Sequence, residues 1–73
     1  MKQAQDTVVE IYGNMRPDAA ASQLGELSSE TAAAILMSLD ARKASVILNE
    51  MKVETAASLT GIMVSAARQK DPS

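Results

Sequence analysis

Seventy-three residues hold one domain and no more, and a chain this short buries only about 60% of the surface it exposes when unfolded. It contains no Cys and no His, which excludes a disulfide framework and a thiolate–imidazole zinc site as staples. The net charge of −2, with both signs interspersed, excludes the basic stripe of a nucleic-acid binder, and no apolar run approaches the roughly 20 residues of a membrane span.

The apolar mass is Ala, Leu, Ile, Val and Met, with Tyr12 the single aromatic, so composition alone predicts an all-α fold. Met15, Leu27, Leu39, Met51 and Met63 follow one another at intervals of twelve residues. Seven residues before them lie Val8, Ala20, Ala32, Ala44 and Ala56. Three after those come Ile11, Gln23, Ile35, Ile47 and Leu59, and one further on Tyr12, Leu24, Leu36, Leu48 and Thr60. Every copy therefore carries the i, i+3, i+4, i+7 spacing of an amphipathic helix, with Gln23 and Thr60 the only polar exceptions. One long helix cannot carry this pattern. Twelve residues turn the chain through about 1200°, which sets each stripe about 120° from the last and would leave the helix apolar all round. The chain must break once per repeat.

The first predicted helix covers about residues 5–14 and ends before Arg16. Pro17 opens the second, about 17–26, because proline suits a first helical turn and disfavours helical geometry at the residue before it. Ser28 or Ser29 is expected to cap the third, about 29–38, and Asp40 the fourth, about 41–50. The fifth covers about 53–67 and runs through Gly61, since Ile62, Met63, Val64, Ala66 and Ala67 continue the apolar pattern. Breaks are thus expected near Arg16, Ser28, Asp40 and Lys52. Asp18, Glu30 and Glu54 fall in first turns, where the helix dipole favours negative charge. Gly13, Gly25, Asn49 and Gly61 recur near helix ends and read as left-handed closing residues, with Met37 the exception at that position. Short linkers predict neighbouring helices stacked as hairpins, with Leu36 and Leu48 fully buried at the centre.

The stretch IYGNMRPDAAASQLGEL, followed by ETAAAILMSLDARKASVILNEMKVETAASLTGIM, resembles the superhelical N-terminal domain shared by the MgtE family of magnesium transporters and related flagellar proteins. Within that group it is most similar to the C-terminal domain of the MotE family of flagellar motility chaperones. The likeness rests on Ile11-Tyr12, Met15-Arg16-Pro17, Ala19-Ala20, and Arg42-Lys43-Ala44-Ser45 leading into Ile47-Leu48 and Met51. It implies a right-handed superhelix, an α-solenoid of five short helices, with no catalytic residues and no cofactor. It also implies a periplasmic chaperone role for a MotC-like protein partner, with a membrane anchor and coiled coil upstream of this segment. The alternative is a cytoplasmic, Mg²⁺-sensing regulatory domain of an MgtE-type transporter, whose relatives bind the ion through acidic residues of this domain together with a second domain. On either reading the segment is expected to be a domain excised from a longer chain, with Met1 not its native start.

Individual residues add little chemistry. Without His, Cys or a Gly-rich phosphate loop, the Ser, Asp and Glu side chains form no catalytic constellation, so no enzyme is expected. Glu26 with Glu30 and Glu50 with Glu54 are the weak candidates for metal ligands. They are only pairs where a hard cation needs several converging oxygens, and dipole complementation explains them equally. Met15, Met51 and Met63 read as core fillers. Arg42 and Lys43 read as a solvated helix start. Solenoids need polar end caps, yet both ends here are apolar. Partner binding, or pairing with a second copy, is therefore expected at Val8, Val9 and Tyr12 at one end and Ile62, Met63 and Val64 at the other, with Met37 a further contact.

Overall fold

The computed structural model describes residues 4–69. Within them the chain forms five helices and no strand: α1 (Ala4–Asn14), α2 (Pro17–Leu24), α3 (Ser29–Ser38), α4 (Ala41–Asn49) and α5 (Val53–Gln69).

The breaks recur with the sequence period. Arg16, Ser28 and Asp40 are extended, with ψ of 141°, 151° and 158°. Their carbonyls accept hydrogen bonds from the N–H groups of Ala20, Ala32 and Ala44 at 2.9, 2.9 and 3.0 Å, and the Lys52 carbonyl accepts from Ala56 at 2.9 Å. Each recurring alanine thus sits one turn into its helix. The orphan N–H groups find side chains where the sequence supplies them. Ser28 Oγ accepts from the Thr31 N–H at 3.3 Å, and Asp40 Oδ1 accepts from the Lys43 N–H at 2.8 Å. Arg16 caps nothing with its side chain; Pro17 brings no N–H to satisfy, and the Asp18 carboxylate accepts from the Ala19 N–H at 2.9 Å.

Helix ends close differently from the left-handed caps that the recurring Gly and Asn suggested. No described residue has a positive φ, and Gly25 lies at φ −64°, ψ −19°. The last turns tighten instead. The N–H groups of Met15, Leu27, Leu39 and Met51 bond to the carbonyls of Tyr12, Leu24, Leu36 and Leu48 at 3.3, 3.1, 3.2 and 3.1 Å. These three-residue bonds satisfy terminal carbonyls without any left-handed residue. Gly61 lies inside α5, where nothing stands within 4 Å of the Cβ it lacks. Gly61→Ala is therefore expected to stabilise the domain by about 0.5–1 kcal/mol, read as a higher urea midpoint at unchanged slope. A lower midpoint would mean that the glycine serves a close approach in solution.

Helices pack chiefly on their second neighbours: α3 on α5, α2 on α4 and, less extensively, α1 on α3, with α3 and α4 the one adjacent pair of similar weight. This replaces the expected stack of hairpins. Extended links part consecutive axes, so the apolar stripe of one helix meets that of the helix after next. The molecule is a slab of 38 × 36 × 22 Å, and 22 Å is about two helix diameters. One row holds α1, α3 and α5, the other α2 and α4.

Half of the core is alanine: Ala20, Ala21, Ala32, Ala33 and Ala44 join Leu24, Ile35, Leu36, Ile47 and Leu59. Leu36 is 1% exposed, as expected, but Leu48 is only half-buried. The difference follows from the packing rule. α2 and α3 each have a helix two steps ahead to cover this position, and α4 has none.

Candidate protein-interaction surfaces

The four glutamates do not converge. Glu26 and Glu50 line an open groove with Asp18 and Lys52, between α2 and the link from α4 to α5. Glu30 lies at another groove, beside Gln5 and Val8. Among the described residues no group of three or more acidic side chains could hold a metal ion. Glu30 and Glu54 occupy the first turns of α3 and α5, where the dipole accounts for them. A hard cation in the Glu26–Glu50 groove would need oxygen donors from a second domain.

Arg42 and Lys43 are both exposed, and the Lys43 ammonium also donates to the Gly13 carbonyl, thirty residues back at the end of α1. A cation on terminal carbonyls complements the dipole of α1 and ties it to α4. Lys43 is thus exposed, as expected from the sequence, and is also bonded to the end of α1.

Besides a smaller groove at Met15, Pro17, Val46 and Ile47, apolar surface gathers in two places. The first is a groove of about 400 Å³ where α1 meets α3, with Val8, Val9, Ala34 and Ile35 as its apolar lining. Val8 is exposed and Val9 half-buried. At the other end Val64 is half exposed, whereas Ile62 and Met63 pack against the core, as does Tyr12. Met37 is exposed on α3. The expected contact residues thus divide into an exposed set of Val8, Met37 and Val64, a set of Tyr12, Ile62 and Met63 packed against the core, and half-buried Val9.

The second place was not expected. Leu48, Met51, Val53, Ala56, Ala57 and Thr60 line an open cleft between α4 and α5, and Val53 at its edge is 81% exposed. Thr60 was the signal. It departs from the repeat at a position that is Leu in the three preceding copies, as a residue facing solvent would.

No curated protein and no solved structure matches the chain. The model of the MgtE intracellular N domain does, over residues 2–70. All five helices and every twelve-residue copy fall within that match, and the chain belongs to the MgtE intracellular N domain family.

Proposed function

We propose that this domain is a non-enzymatic regulatory module of an MgtE-type magnesium transporter, acting inside the cell by docking on a second domain in response to Mg²⁺. The family match over nearly the whole chain carries this reading. Second-neighbour packing around a twelve-residue break supports the finer expectation of an α-solenoid, a form that presents long surfaces to partners. The Asp18–Glu26–Glu50 groove supports the docking. Its carboxylates are too few and too spread to hold an ion alone. An ion shared with acidic residues of an opposing domain joins the two surfaces, and without it like charges drive them apart.

The test is protease protection of this domain in the full-length transporter during a Mg²⁺ titration. Asp18→Asn, Glu26→Gln and Glu50→Gln combined should raise the Mg²⁺ midpoint about fivefold or more, while the isolated domain shows no saturable binding. An unchanged midpoint removes the groove from the mechanism.

The second reading, a MotE-like periplasmic chaperone of a MotC-like partner, rests on Ile11-Tyr12, Met15-Arg16-Pro17 and Arg42-Lys43. Flanking sequence separates the two. A single upstream anchor with a coiled coil marks the chaperone; a downstream nucleotide-binding-like pair and five membrane spans mark the transporter.

A further inference from the structure

Burial along the repeat reveals which way each side of a helix faces. The position held by Ile11, Gln23, Ile35, Ile47 and Leu59 is exposed in α1 and α2 and buried in α3, α4 and α5. Only the last three helices have a second neighbour behind them, so this position faces the helix two back. Ile35 accordingly lines the groove shared with Val8 and Val9 of α1. The next position runs the other way. Tyr12 is half-buried on α1, whose contact with α3 is the less extensive one; Leu24 and Leu36 are buried, Leu48 is half-buried and Thr60 is exposed. Since α4 and α5 have no helix two ahead, this position faces forward. Leu48 and Thr60 lie together in the open cleft.

Each end of the molecule therefore carries half of an unmade contact. At the leading end the halves are Ile11, 51% exposed, and Gln23. At the trailing end they are Leu48 and Thr60. Continuing the same step from one molecule into another sets α4 against the α1 of a second copy, and α5 against its α2. Apolar Leu48 then meets apolar Ile11, and polar Thr60 meets polar Gln23. The only two polar departures from the repeat fall opposite each other, in the one register that also covers both open apolar positions. Exposed Val53, at the edge of the cleft, lies beside the incoming helix.

We propose that the α4–α5 cleft binds α1 of a second copy of this chain, head to tail. The two surfaces differ, so the contact is heterologous and builds rings or strings, not two-fold dimers. This goes beyond the regulatory reading and stands or falls without it.

The test is sedimentation velocity at rising concentration on the wild type, Ile11→Glu, Val53→Glu, and an equimolar mixture of the two variants. Both residues are exposed, so circular dichroism should show unchanged helicity. The wild type should grow past dimers. Each variant alone should associate about tenfold or more weakly, because each places a charge in an apolar contact. The mixture should form a one-to-one dimer and stop, since one intact cleft then meets one intact α1. The register has its own readout. The chain has no Cys, so Gln23→Cys and Thr60→Cys chains, oxidised together, should cross-link to each other in preference to themselves. A wild type monomeric at every concentration overturns the proposal and leaves the transporter reading untouched. Variants that associate like the wild type, or a mixture no different from its parts, overturn it equally.

Discussion

Leu36→Ala should cost about 2–5 kcal/mol, and Leu48→Ala about half as much, although both leucines hold the same repeat position. Leu36 is 1% exposed on α3, which packs against α1, α4 and α5. Truncating it removes buried methyl groups and leaves a cavity that rigid helical neighbours cannot close. Leu48 is half-buried beside an open cleft, so solvent already reaches it and no sealed void results. Domain stabilities fall near 5–15 kcal/mol, and a chain of 73 residues belongs at the low end, so Leu36→Ala should unfold much of the population. Urea melts at a dilution that keeps the chain monomeric provide the measurement. Equal losses at the two positions would mean that Leu48 is covered in solution and that the second-neighbour rule fails at α4.

Ala20→Leu is expected to destabilise by about 1–3 kcal/mol, toward the upper end, through overpacking. Ala20 is 0% exposed on α2, which packs on α4, and Ala32 and Ala44 repeat it in buried positions on the next two helices. Alanine there permits close approach, and three added carbons have nowhere to go without parting the helices. Val8 is the internal control. It holds the equivalent position on α1 but is exposed, so Val8→Leu should stay within about 0.5 kcal/mol of the wild type. Thermal melts of both variants decide the matter. An Ala20→Leu protein as stable as the wild type would show that the α2–α4 contact is loosely packed.

What could be read in the chain was local. The helix breaks at Arg16, Ser28, Asp40 and Lys52 follow from a twelve-residue period that no straight helix can satisfy, and from caps that act within three residues. The passage of α5 through Gly61 was legible for the same reason, since an apolar pattern on one helix is a short-range property. The two polar departures, Gln23 and Thr60, were visible too, but not their meaning.

Everything that depended on which helix meets which was decided by tertiary structure. The sequence marked one apolar stripe per helix without saying whether the adjacent helix or the one beyond would cover it. That choice left Leu48 half open, left Val8 more exposed than Val9, and drew Ile62 onto the core. It also carried Lys43 to the end of α1 and kept Glu30 out of the groove of Glu26 and Glu50. Helix ends needed no left-handed glycine because tightened turns and extended links met their hydrogen-bonding needs, an outcome composition cannot distinguish from a glycine cap. Caps and stripes are set within a turn or two of chain. Coverage of a stripe is set by helix crossings spanning twenty residues or more, where many sequences share one pattern and geometry alone selects the partner.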